Sequence, residues 1–163
     1  MAMKKISALL FTILIAYGAA AQDLYSKAYG NPKHTPLLFL HGGPGYNSVN
    51  FEVTTAQKLA DKGYYVIVYD RRGEGRSEDV KGMFNFKETF QDIDNILTKY
   101  QISKATLIGH SFGGVIAPLY AEKHPDKVTS IVLVSAPVNL QSSSRSPYCL
   151  FAFSQMLNKS VDK

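Results

Sequence analysis

Four short apolar runs, rich in β-branched and aromatic residues, punctuate the chain: Leu37–Leu40, Tyr64–Tyr69, Ala105–Ile108 and Val128–Val134. Runs of this length bounded by turn residues read as strands. A weaker strand is expected within 24–29. Between them the period lengthens to three and four. Residues 50–62 predict a helix with Phe51, Ala56, Leu59 and Ala60 inward, ended by Gly63. Phe86 to Tyr100 predicts a second, with Phe90, Ile93, Ile96 and Leu97 on its apolar face. Phe112 to Lys123 predicts a third, which Pro118 should kink. Strands alternating with helices imply βαβ units, hence an α/β fold with a mostly parallel sheet and flanking helices. No internal repeat is visible.

The junction of the third strand with the last of these helices carries the chemistry. Gly109-His110-Ser111-Phe112-Gly113 has the G-x-S-x-G spacing of a nucleophile elbow, in the strand–turn–helix setting that such an elbow requires. The turn must be sharp enough to lift Ser111 Oγ clear of the sheet. Side chains two residues to either side would collide, so glycine is expected at 109 and 113. The following helix directs its N–H groups at a developing oxyanion. A plain strand-to-helix turn that happens to contain a serine is the simpler reading. It loses weight because a second motif lies upstream. Leu37–Leu40 runs directly into His41-Gly42-Gly43-Pro44-Gly45, a loop whose backbone amides can approach a ligand closely. The N–H groups of Phe112 and Gly43 are therefore candidate oxyanion donors. His41, Gly42, Gly109, His110 and Gly113 are candidate supports.

A third motif, Asp70-Arg71-Arg72-Gly73-Glu74-Gly75-Arg76-Ser77, follows the Tyr65–Tyr69 strand. With it the chain resembles the α/β-hydrolase superfamily from about Tyr29 to Leu140. The His-Gly-Gly-Pro-Gly loop and the Asp-x-Arg-Gly-x-Gly-x-Ser pattern are similar to the proline iminopeptidase-like branch, which often carries Gln where this chain has Arg71. The resemblance implies a serine hydrolase acting on an ester or amide bond, with an N-terminal proline aminopeptidase as its specific form. The substrate would be a small molecule or short peptide, and no cofactor is called for. It also implies a cis Gly43–Pro44 bond, well above the ordinary frequency of ~5–6%. For Asp70 to Ser77 a structural role is expected, with Asp70 or Ser77 pinning the turn through backbone hydrogen bonds.

In this fold the triad runs Ser, then Asp or Glu, then His. The only histidine after Ser111 is His124, about a dozen residues on and so roughly 20 Å along the helix. His110 belongs to the elbow, His41 to the loop, and His34 has no assigned role. The later acids Glu122, Asp126 and Asp162 sit at no strand end near the elbow. The expectation is a nucleophile-and-oxyanion half, truncated before the cap and the C-terminal strands, with neither triad acid nor base in the chain. The alternative is a non-catalytic remnant.

Composition adds limits. The 163 residues carry a formal charge of +5, and 45% are hydrophobic, enough for one domain core. Lys4 and Lys5, the apolar stretch Ile6 to Tyr17 and Ala19-Ala20-Ala21 have the pattern of a secretory signal spanning residues 1–21. A mostly apolar stretch of twelve residues is short for a bilayer span, so an exported protein without a stable anchor after cleavage is expected. Removal of two lysines leaves a mild +3. The hydrolase part is then 22–140, and 141–163 is an irregular tail or the start of a cap. Arg71, Arg72 and Arg76 read as a solvated turn and not as a nucleic-acid site. The lone Cys149 allows no intrachain disulfide. No G-x-G-x-x-G fingerprint and no H-E-x-x-H metal spacing occurs, and Ser111 in the elbow disfavours an Asp-nucleophile enzyme.

Overall fold

The computed structural model describes residues 23–137. The expected signal sequence, 1–21, and the 141–163 tail lie outside the described residues. Five strands, β1 (Ser26–Tyr29), β2 (Thr35–Leu40), β3 (Tyr64–Tyr69), β4 (Ala105–His110) and β5 (Val128–Val134), form one sheet in the order β1-β3-β2-β4-β5. β1 is antiparallel to β3, and the other pairings are parallel. Helices α1 (Val49–Phe51) and α2 (Gln57–Asp61) join β2 to β3, α3 (Phe86–Lys99) joins β3 to β4, and α4 (Gly113–Lys123) joins β4 to β5.

The strand order decides which face each helix covers. Passing from β2 to β3 moves one way across the sheet, whereas β3 to β4 and β4 to β5 move the other. Right-handed crossovers therefore send α1 and α2 to one face and α3 and α4 to the opposite one. Alternation along the central strands follows suit. Leu38, Leu40, Tyr65, Ile67, Tyr69 and Leu107 pack with Phe90, Ile93, Ile96, Ile116 and Tyr120 in the larger core. Leu37, Phe39, Val66, Val68 and Ile108 pack with Ala56 in the smaller one, against Phe51 and Leu59. Burial on both faces is why these strands read as unbroken apolar runs.

Two local features depart from the expected helices. The 50–62 segment is interrupted by a π-helical turn, Glu52–Ala56. The β-branched run Val53-Thr54-Thr55 lies in it, and the Thr54 hydroxyl donates to the Asn50 carbonyl at 2.6 Å, both of which disfavour regular α-helix. Pro118 lies inside α4, which remains helical from Gly113 to Lys123. α3 starts at its Asn85 cap, whose side chain accepts from the Glu88 N–H at 2.9 Å. Among the described residues β5 is one edge of the sheet and β1 the other, and Val132, Leu133 and Val134 on β5 are 42–47% exposed.

Candidate active site

The motifs converge because parallel strands put all their C-terminal ends on one edge. β2 ends at Leu40, β3 at Tyr69 and β4 at His110, so the loop 41–45, the turn 70–77 and Ser111 share that edge. β2 and β4 are neighbours, with Leu40 opposite Gly109, yet their following segments leave toward opposite faces. Such a divergence opens a crevice at the strand ends, the usual place for a ligand in an open α/β sheet. His34, by contrast, precedes β2 and lies at the other edge.

Ser111 occupies the sharp turn that its sequence predicts, with φ +50°, a left-handed conformation uncommon for a non-glycine residue. Its N–H donates to the Val134 carbonyl at 2.9 Å, and its carbonyl accepts from the Gly114 N–H at 2.9 Å. The flanking glycines are sterically required. A methyl group at Gly109 would come within 2.6 Å of the Gly113 carbonyl oxygen. One at Gly113 would overlap the Leu40 carbonyl and lie 2.9 Å from the His41 oxygen. Gly42 also packs against the elbow, less tightly, since an added methyl group would sit 3.2 Å from Ser111 Cβ and 3.1 Å from His110 Nδ1. The Gly43–Pro44 bond is cis, as expected. Among the described residues no acceptor pairs with the N–H of Gly43 or Phe112.

Each histidine has a definite place. His41 is fully buried, and its Nε2 accepts from the Arg71 N–H at 2.9 Å while Nδ1 approaches the Gly42 carbonyl at 2.6 Å. These contacts assign the neutral imidazole with its proton on Nδ1. Burial, joined by the nearby Arg71 charge, pushes its pKa down to about 3. The 3.8 Å approach of Glu74 to Nε2 is therefore no ion pair. His110 is half-buried and lines a pocket on the α1–α2 face with Phe39, Phe51 and Asn50. His124 closes the far end of α4, its ring stacked on Tyr120 at 4.6 Å, as the helix geometry predicts. Among the described residues, Ser111 Oγ hydrogen-bonds to no side chain.

The turn 70–77 is anchored as expected. Buried Asp70 accepts from Ser48 N–H and Oγ at 2.9 and 2.7 Å, and from Arg76 N–H and Nε at 3.0 and 2.7 Å. Burial alone would raise its pKa; the hydrogen bonds from Arg76 and Ser48 outweigh it and hold it at about 2. The Ser77 hydroxyl donates to the Asp70 carbonyl at 2.9 Å and accepts from the Tyr25 N–H at 2.9 Å.

The three arginines are not a solvated group, which corrects the sequence reading. Arg76 lies over the Tyr25 ring at 3.4 Å and pairs with Asp70 and Glu52. Arg72 pairs with Asp92 at 2.5 Å. Arg71 is only 7% exposed. Its guanidinium donates to the carbonyls of His41 and, at 2.7 Å, Gly42, and it pairs with Glu74 at 2.6 Å. That pair meets the distance for an ion pair but not the angles for a hydrogen bond, so Glu74 Oε2 has no hydrogen-bond partner among the described residues. Glu74 Oε1 in turn accepts from the Gly45 N–H at 2.9 Å. Arg71 and Glu74 were missed as site residues. Their signal was opposite charge at a spacing of three, one residue past the end of an apolar and aromatic strand.

A cavity of about 270 Å³ opens between Pro44, Phe112, Arg71 and the start of α3, with Tyr69 in its wall. The Tyr69 hydroxyl is buried without a hydrogen-bond partner among the described residues, and burial raises its pKa.

Residues 35–159 match the family model for the alpha/beta hydrolase fold. The chain belongs to that family. The alpha/beta hydrolase match runs past Leu140, beyond the described residues. Among curated relatives, a proline iminopeptidase of Xylella fastidiosa is 33% identical over 112 residues, covering 68% of this chain and 35% of the relative. A non-heme chloroperoxidase of Kitasatospora aureofaciens is 33% identical over 125 residues, covering 74% and 43%. A solved structure from a study of carboxylesterases of Nitrososphaera gargenis superposes with a TM-score of 0.67 at 30% identity, covering 77% of this chain and 46% of that one. The chain thus spans about a third of the length of the first curated relatives it matches.

Proposed function

We propose that this chain carries the nucleophile and oxyanion half of a serine hydrolase acting on ester or amide bonds. The observation that carries this reading is Ser111 at φ +50° between β4 and α4, with the Gly42 backbone packed against it. Ser111 Oγ would add to a carbonyl carbon, forming an acyl–serine bond as the alcohol or amine departs, and water would then release the acid. The unpaired N–H groups of Phe112 and Gly43 would receive the oxyanion, at the N-terminus of α4 and across from it. His41, Gly42, Gly109, His110 and Gly113 support that geometry. The proline iminopeptidase relatives favour a short peptide with N-terminal proline as substrate, and the esterase neighbours favour a small ester.

A second reading, a chain without turnover of its own, is favoured by a specific observation. His41 is locked as a neutral acceptor, His124 is a helix length away, and no side chain among the described residues bonds to Ser111 Oγ. The 163-residue chain is therefore expected to hydrolyse a p-nitrophenyl ester or a proline arylamide feebly, and Ser111→Ala to change that little. In a fusion that carries residues 23–137 in place of the matching part of a relative, the same substitution should abolish turnover. Vigorous hydrolysis by the short chain, lost on Ser111→Ala, would mean that it holds a base of its own.

Export belongs to the same proposal. A secretory signal over residues 1–21 would deliver the protein to the periplasm or the medium, without a stable membrane anchor after cleavage. Among the described residues no helix is long and apolar enough to cross a membrane. The intact mass of the exported protein should correspond to a chain starting at Gln22; a chain still starting at Met1 contradicts it.

A further inference from the structure

We propose that Arg71 is the positioning residue of the oxyanion loop, gripping the very peptide whose N–H receives the oxyanion. The Gly42 carbonyl and the Gly43 N–H belong to one planar trans peptide, so they point in opposite directions. Arg71 Nη2 donates to that carbonyl at 2.7 Å. The Gly43 N–H is thereby turned away from the guanidinium, and a charged donor on the carbonyl polarises the peptide and strengthens its N–H as a donor.

The grip is over-determined. The second guanidinium nitrogen holds the His41 carbonyl, and the Arg71 backbone N–H holds His41 Nε2 at 2.9 Å. Glu74 fixes the guanidinium by ion pairing at 2.6 Å and holds the Gly45 N–H at 2.9 Å on the other side of Gly43. The guanidinium also lies 5.3 Å from the centre of the Phe112 ring, so the same side chain buttresses the residue that carries the other donor. A side chain at position 43 would overlap Arg71 Nη2, so the glycine there also makes room for the grip.

This inference rests on the hydrolase reading, and its test separates the two. Phenylboronic acid is the probe. Ser111 Oγ adds its electron pair to the vacant boron orbital, an O–B bond forms, the serine proton leaves to solvent, and a boronate oxygen takes the oxyanion position. Affinity is measured by boron NMR on the full chain, together with the 15N shift and hydrogen exchange of the Gly43 amide. Arg71→Met should weaken boronate binding by about tenfold or more, the loss of roughly one charge-assisted hydrogen bond, and should speed Gly43 exchange. Arg71→Lys keeps the charge beside Glu74 and one donor, and should restore part of both. Asn85→Ala, which removes the α3 cap, should lower stability yet leave boronate affinity unchanged. If the wild-type protein forms an adduct and Arg71→Met binds equally well, the positioning role is refuted while the hydrolase reading stands. If the wild-type protein forms no adduct at Ser111, the hydrolase reading fails and this inference with it.

Discussion

Gly113→Ala is expected to destabilise the protein by about 3 kcal/mol, near the upper range for forcing extra atoms into a close-packed site. The added methyl group would overlap the Leu40 carbonyl, with its carbon only 2.6 Å away, and both partners are backbone. Neither can rotate aside, so α4 must lift from the β2 end or the elbow must open. Thermal unfolding should show Tm lowered by roughly 10–15 °C. Gly45→Ala is the matched comparison. Gly45 has φ +79° but nothing within 4 Å of an added methyl group, so it should show only the left-handed strain, about 1–2 kcal/mol. Gly113 is helical, so a loss no larger than that of Gly45→Ala would mean that the contact with β2 yields to the added methyl group.

Acid should unfold the protein in two stages, with the first traceable to His41. Its folded pKa is about 3 against an ordinary 6.5, so between those values the unfolded chain binds a proton that the folded one refuses. Stability is full above about pH 6.5 and falls as pH drops toward 3, with a slope near 1.4 kcal/mol per pH unit for one proton. Asp70 adds to this at lower pH. Its carboxylate is held at about 2 against 3.8, so its contribution is present above about pH 4 and is lost as pH falls through 2, a further ~2 kcal/mol. Urea midpoints measured from pH 8 to pH 4 should decline in the wild-type protein. In His41→Gln they should start lower, because the Arg71 N–H loses its acceptor geometry, and then stay nearly flat to pH 4. An unchanged slope in that variant would show that another group takes up the proton.

The strands, the helices and the sharp turn at Ser111 were legible along the chain because they depend on neighbours in sequence. Tyr64–Tyr69 and Val128–Val134 follow from apolar runs bounded by turns, and α3 follows from Phe90, Ile93, Ile96 and Leu97 at helical spacing. The strain at Ser111 and the glycines beside it follow from the steric demands of one sharp turn. The rise of a helix likewise placed His124 at the far end of α4 from Ser111.

What the chain could not reveal was the partner of each charge. Arg71, Arg72 and Arg76 look alike in a turn of mixed charge. Only the folded arrangement buries Arg71 on the His41 and Gly42 carbonyls, gives Asp92 of α3 to Arg72, and seats Arg76 on Tyr25 before β1, on Asp70 and on Glu52 of the π-helical turn. Apart from Arg76 with Asp70, six positions away, those contacts join residues 20 or more positions apart, as with Arg71 and Gly42 at a separation of 29. Sequence spacing determined which turns and helices could form and where a nucleophile could stand. Tertiary structure decided which face each helix covers, which histidine is locked neutral, and which guanidinium holds the loop beside Ser111. The reason is that burial and long-range hydrogen bonds exist only once the parallel strand ends meet at one edge.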